Sequence, residues 1–237
     1  MKTLLLILIC TVFLCFSSCY EPIPGSGNVI RWEETFTTIN SITLKSIGTV
    51  FVTAGSPQKI EIEIDDNFVE DVNLDVSNKK LAISTNRTIG PTVFNIYITI
   101  ADISELINKG SGKISVQNNF SQGSTLWLNA SGSGKIEIAG MNVSDCQAYN
   151  SGSGQIIANS GTVSIGEFYL ESSGNINLSN VVISEVEATN SGSGKILFTV
   201  TDKLDATITG SGNIEYWGNP ADIQQVITGS GKLIKRN

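Results

Sequence analysis

The chain has 237 residues, 41% of them apolar, and a net charge of −7, enough to bury a sizeable core and too apolar for a disordered segment. With 15 Lys and Arg against 22 Asp and Glu there is no basic stripe to neutralise a phosphate backbone, so no nucleic-acid partner is expected. The sequence contains no histidine, which removes Ser-His-Asp and Cys-His catalysis, histidine general bases and histidine zinc sites.

The first nineteen residues, MKTLLLILICTVFLCFSSC, read as a targeting segment. Lys2 supplies the positive start, and Leu4 to Phe16 form an apolar run too short to span a membrane. Of the three cysteines here, Cys10 and Cys15 follow bulky residues, whereas Cys19 follows Ser17 and Ser18, the small residues a signal peptidase needs. FSSC resembles a bacterial lipobox, with Phe16 where leucine is commoner; an ordinary secretory leader cut nearby is the alternative. The expectation is therefore a lipoprotein signal peptide over 1–18, a lipid anchor on Cys19 and a tether over 19–28 (including YEPIPGSG). Membrane attachment through that anchor follows. Tyr20, in place of Asp, gives no signal for inner-membrane retention, so an outer-membrane lipoprotein is expected, on the cell surface or the periplasmic face. Cys146 is the one cysteine beyond the leader, so no intramolecular disulfide is available and a buried core position is expected.

Residues 29–108 alternate in short strands: Val50-Phe51-Val52, Ile60 to Ile64, Leu74-Asp75-Val76, Leu81-Ala82-Ile83 and Val93 to Ile100. Two readings stay open for this block: irregular early coils of a solenoid, or an antiparallel cap over its end. Asp102 to Asn108 (DISELIN) predicts a single helical turn.

From 109 to 237 the chain repeats. SGSGKIEI starts at Ser131, SGSGQII at Ser151, SSGNINL at Ser172 and SGSGKIL at Ser191. The last glycine of each turn (Gly112, Gly134, Gly154, Gly174, Gly194, Gly212, Gly231) recurs every 18 to 22 residues. Two residues after each stands an aliphatic: Ile114, Ile136, Ile156, Ile176, Ile196, Ile214, Leu233. Units of this length cannot bury an apolar face alone; they must stack. An all-β fold is predicted, a parallel β-helix (solenoid) with coils of about 20 residues, and the repeated glycines mark its corners. These glycines are expected to supply positive φ. The serines one place before them (Ser111, Ser133, Ser153, Ser173, Ser193, Ser211, Ser230) are expected to bond as a hydroxyl ladder. Asn129, Asn150 and Asn190 predict a partial amide ladder, and Lys235 with Arg236 a charged blunting of the last coil. The repeats leave the oligomeric state open.

The run RWEETFTTINSITLKSIGTVFVTAGSPQKIEIEIDDN, then LAIST, then VFNIYITIADISELINKGSGKISV and the GSG-x-I repeats, resembles the putative auto-transporter adhesin, head GIN domain family. The resemblance runs from about Val29 to the C-terminus. It implies an envelope lipoprotein of a Gram-negative bacterium with a right-handed β-helix, and it brings no catalytic residues.

The glycine turns do not form a P-loop: Lys113, Lys135 and Lys195 are each followed by isoleucine where that motif needs Ser or Thr. The calcium-binding nonapeptide needs Asp where every copy has Ile or Leu. No metal and no cofactor are expected. Carboxylates such as Asp202 and Asp205 fit solvated turns, and an enzyme acting on polysaccharides rests on fold analogy alone. Outward aromatics, Trp127 and Trp217, are candidate ligand contacts. The sequence thus predicts a non-enzymatic, lipid-anchored envelope module for adhesion or for binding a glycan or protein. A periplasmic scaffold is the alternative, a polysaccharide-active enzyme a more remote one.

Overall fold

A computed structural model of the chain describes residues 22–237, so the leader and Cys19 lie outside the described residues. The described residues are 64% strand and 3% helix, a parallel β-solenoid of about seven turns with coils about 20 residues apart. Its first strands are β1 (Val29–Glu34), β2 (Ser41–Leu44), β3 (Thr49–Ala54), β4 (Lys59–Asp65), β5 (Val72–Ser77), β6 (Lys80–Thr85), β7 (Phe94–Ile100) and β8 (Glu105–Asn108). The repeats supply β9 (Lys113–Ala130), β10 (Lys135–Asn150), β11 (Gln155–Ala158), β12 (Gly161–Leu170), β13 (Asn175–Asn190), β14 (Ile196–Ile208), β15 (Ile214–Trp217), β16 (Asp222–Ile227) and β17 (Leu233–Lys235).

Register accounts for the repeat. Ile114, Ile136, Ile156, Ile176, Ile196, Ile214 and Leu233 stand in one column, each the parallel neighbour of the next. Successive side chains alternate in and out, so all six isoleucines are 0% exposed; each such burial contributes roughly 1.5–3 kcal/mol. A second column fits large against small. Phe168 stands between Ala148 and Ala188 of the adjacent coils, and its ring fills the place of the missing side chain at Gly166. Cys146, between Leu126 and Gly166, is wholly buried, and burial pushes its thiol up to about 12.

The corners need glycine for a different reason than expected. Positive φ occurs among glycines at Gly27, Gly48, Gly161 and Gly218, and at none of the seven corner positions. What the corner demands is close approach. A Cβ on Gly134 would lie far inside 3.0 Å of the Gly112 carbonyl oxygen, and one on Gly154 equally close to that of Gly134. The same holds up the column to Gly231. The backbones lie this close because they bond directly, Gly134 N–H to Gly110 O at 3.0 Å and Gly154 N–H to Gly132 O at 3.1 Å.

The seven corner serines face solvent. Among the described residues their hydroxyls form no bonded ladder, because each side chain points away from the coil stack. The amide ladder is real but differently placed, at Asn108, Asn150 and Asn190. Asn150 Nδ2 donates to Gly154 O (2.9 Å) and to Asn175 O of the next coil (3.2 Å), while its Oδ1 accepts from Gly152 N–H (3.1 Å). Asn108 and Asn190 repeat this pattern. One amide serves two coils, so the intervening coils carry Ala130, Leu170 and Ile208 at the same position. Asn129 is one residue out of phase and faces outward.

Residues 29–108 combine coil and cap. β2 and β3 form a coil whose parallel pairing continues into β8 and β9. β4 runs antiparallel between β1 and β7, and β5 antiparallel to β6, over the first coil. A short 3-10 helix, Asp66–Asp71, inserts Phe68 into the core beneath this cap. Asp102 to Asn108 contains β8, not a helical turn: pairing on both sides draws Leu106 into the column beside Ile42 and Leu128, and tertiary context overrides the local pattern.

At the opposite end Arg236 does not blunt the edge. It turns back onto Glu215 (2.8 Å), which also meets Lys195 of the preceding coil at 2.9 Å. Burial alone would raise the Glu215 carboxyl, but the lysine and arginine hold it below its ordinary value. β16 is left exposed along its length.

Gly154→Val is expected to lower the stability of the whole stack by at least about 2 kcal/mol in one cooperative denaturant transition. Gly123→Ala, whose added Cβ meets nothing within 4 Å, should stay within about 0.5 kcal/mol of the parent. A thiol reagent should leave Cys146 untouched in the native protein and titrate it on unfolding; rapid native labelling would contradict the packed column. The depressed Glu215 carboxyl contributes stability that is fully present above the ordinary value of 4.5 and is lost as pH falls through the lower folded value. The stability gap between parent and Glu215→Gln, measured by urea melts, should therefore be widest near neutrality and shrink below pH 4.5.

Candidate functional site

A groove of about 610 Å3 opens where the N-terminal block meets the corner column. One wall is the pair of corners after β2 and β8, carrying Lys45, Ser46 and Ile47 beside Lys109, Gly110 and Ser111. The pairing of Leu44 with Asn108 sets these corners in adjacent coils, and Lys109 N–H donates to Leu44 O at 2.8 Å. Lys45 and Lys109 are thereby stacked neighbours. The other wall is the stretch from Thr85 to Ile89 after β6. It is fastened by the 2.9 Å bond between the Ser46 and Thr85 hydroxyls and by Asn86 N–H donating to Asp71 O.

Arg87 is fixed in that wall. Its Nε donates to Asp71 (2.7 Å), Nη2 to Asn67 O (3.2 Å), and its guanidinium lies 5.5 Å from the centre of the Phe68 ring. No carboxylate lines the groove. Lys45 and Lys109 make no ion pair among the described residues; Glu105, outward on the strand before Lys109, is taken by Lys80 (2.8 Å) and the Ser41 hydroxyl (2.5 Å). Burial works to raise the Glu105 carboxyl, and these partners bring it below its ordinary value. The groove is a cationic, hydroxyl-rimmed recess suited to an anion.

The groove is assembled from three separated stretches, so periodicity does not point to it. One signal was available: Lys45 and Lys109 each stand three residues before a corner glycine, Gly48 and Gly112. Equal phase in a solenoid means stacking.

The sequence-predicted residues lie elsewhere and are not gathered into one place. Trp127 projects outward from β9, 39% exposed, between Glu105 and Gln147 of the adjacent coils. Trp217 ends β15 on another face, several coils away and half-buried, with Tyr216 turned into the core. The corner glycines are structural, and Cys19 lies outside the described residues. On the Trp127 face, outward Glu167, Glu187 and Asp205 form an acidic row, with Gln147 bonded to Glu167 (2.9 Å) and Lys203 to Asp205 (2.7 Å). Among the described residues no group of three acidic or cysteine side chains is placed to hold a metal ion.

The model of the family described as "Putative auto-transporter adhesin, head GIN domain" matches residues 38–220. Among solved structures, a putative adhesin from Bacteroides fragilis is similar with a TM-score of 0.82 and 23% identity, over 90% of this chain and 100% of that one. A putative lipid binding protein from Parabacteroides distasonis has a TM-score of 0.75 and 26% identity, over 92% and 100% of the two chains. A putative adhesin from Parabacteroides merdae reaches 0.68 at 21% identity, over 91% and 99%. No curated protein matches. Among the described residues no helix is long and apolar enough to cross a membrane. With the family's model spanning most of its length and the coil architecture in place, this chain belongs to the putative auto-transporter adhesin, head GIN domain family.

Proposed function

We propose that the chain is a non-enzymatic, lipid-anchored module of the outer membrane that binds a glycan or protein ligand in adhesion. The observation that carries this reading is the corner column: seven exposed serines at one coil spacing on a rigid rod, with hydroxyls that the fold itself leaves free. Membership of an adhesin-like family and likeness to adhesin-named structures support it. Two carboxyls held below their ordinary values, Glu137 between Lys113 and Lys135 and Glu215 between Lys195 and Arg236, are committed to basic partners. That is the pattern of structural ion pairs.

The start of the described chain is pinned to the cap. Ile23 bridges to Ile89, Gly25 N–H donates to Pro91 O (3.0 Å), and Gly27 N–H donates to Asp65 (2.8 Å). An anchor on Cys19 therefore holds the rod by its capped end and turns the β16 end away from the membrane.

Protease treatment of intact and lysed cells, followed by immunoblotting, tests the reading. The protein should be lost from intact cells. Protection until lysis would sink adhesion and favour a scaffold inside the periplasm. Mass spectrometry of the N-terminal peptide should find Cys19 acylated.

A further inference from the structure

We infer that the groove between Lys45, Arg87 and Lys109 holds the phosphate of an anionic lipid headgroup in the leaflet that carries the anchor. The inference rests on the anchored reading above and deepens it. Three independent features lead to it.

The first is charge. The chain is acidic overall, yet this groove has no carboxylate in its lining and carries Lys45 and Lys109 beside an Arg87 already paired with Asp71. Lys45 and Lys109 stand in adjacent coils and form no salt bridge among the described residues, although the Glu105 carboxyl, held by Lys80, also feels the Lys109 charge. Like charges directly opposite on paired strands repel, and an anion between them relieves that repulsion. Arg87 is fixed in the wall by its salt bridge to Asp71 (2.7 Å), which pairs its charge, so the unpaired positive charge of the groove is that of Lys45 and Lys109.

The second is shape. At about 610 Å3 the recess falls in the range of small-ligand sites, roughly 300–1,000 Å3. Its rim carries the free hydroxyls of Ser111 and Ser133, donors for phosphate or glycerol oxygens, while Ile47 and Ile89 add an apolar margin.

The third is position. Ile89 of the groove pairs with Ile23, and Gly90 N–H donates to Ile23 O at 2.8 Å. Ile23 is four residues beyond Cys19, a stretch that reaches at most about 14 Å. An acylated Cys19 thus brings the groove to headgroup level. A cationic site beside an acyl anchor is the second signal that firm membrane attachment uses. A soluble polysaccharide gains nothing from this placement; a headgroup does.

The test uses the mature lipoprotein in neutral maltoside micelles at low salt. Dihexanoyl phosphatidylglycerol, dihexanoyl phosphatidylcholine, inorganic phosphate and a polyuronate are titrated calorimetrically. Phosphatidylglycerol should bind, with the zwitterionic lipid and the polyuronate at least about tenfold weaker. The double variant Lys45→Gln/Lys109→Gln, at two exposed positions, should lose at least about tenfold in affinity. Lys232→Gln, at the far end of the rod, should bind as the parent does. Circular dichroism confirms that each variant is folded. Phosphate binding without phosphatidylglycerol binding, a preference for the polyuronate, or equal binding by the double variant would overturn the inference. Acylation of Cys19 is read by mass on the same preparation. Failure of the anchor is therefore seen separately from failure of the groove.

Discussion

The structure depends on how closely one corner backbone lies on the next. Gly134 sits against the Gly112 carbonyl and Gly154 against that of Gly134, at separations no side chain can enter. This contact sets the phase of every coil. Once the corners are superposed, the residue two places on must fall in the isoleucine column. The residue four places before must fall where Asn108, Asn150 and Asn190 alternate with Ala130, Leu170 and Ile208. The amides then reinforce the same corner from inside, each spending one hydrogen on its own coil and one on the next. A shift of one residue at a single corner would turn an aliphatic column outward.

A stack held this way has two unlike ends. At the first, antiparallel β1–β4 and β5–β6 cover the opening coil and Phe68 fills beneath them. Asp65, buried in β4, gathers the Thr92 hydroxyl, Val93 N–H and Gly27 N–H, and these bonds hold its carboxyl below the ordinary value despite burial. At the other end the last coils are clasped from outside by Lys195, Glu215 and Arg236, while β16 keeps an open edge. The rod therefore has polarity, and the cationic groove belongs to its capped, N-terminal end.

On the outward half of each column the coil geometry repeats a chemical group at a constant step. Free serine hydroxyls run the length of the corner, an acidic row follows Trp127 on one face, and two lysines stack at the start. The interior carries little chemistry. Cys146 is sealed between Leu126 and Gly166, and the perturbed carboxyls are held by bases (Glu105, Glu137, Glu215) or by hydroxyls, an amide and backbone N–H groups (Asp65, Asp66). Recognition by displayed groups is what this arrangement can offer.

The sequence alone determined the solenoid, because a period near 20 residues with Ile at a constant offset admits one economical way to bury its apolar face. It also determined the inward path of the strands, since alternation at Ile136-Glu137-Ile138 is local and direct. Only the tertiary structure decided what the corners require. Positive φ and close approach both select glycine, and the choice between them is a distance to another coil. The same is true of the amides: Asn129 and Asn150 look alike in sequence, but their phase differs by one residue, and only the stack reveals that Asn108 takes the place Asn129 had suggested. Cap and coil could not be told apart over 29–108 because antiparallel and parallel strands share the period of two. The groove stayed hidden for a further reason: Lys45, Arg87 and Lys109 become neighbours only when strand pairing closes the long intervals between them.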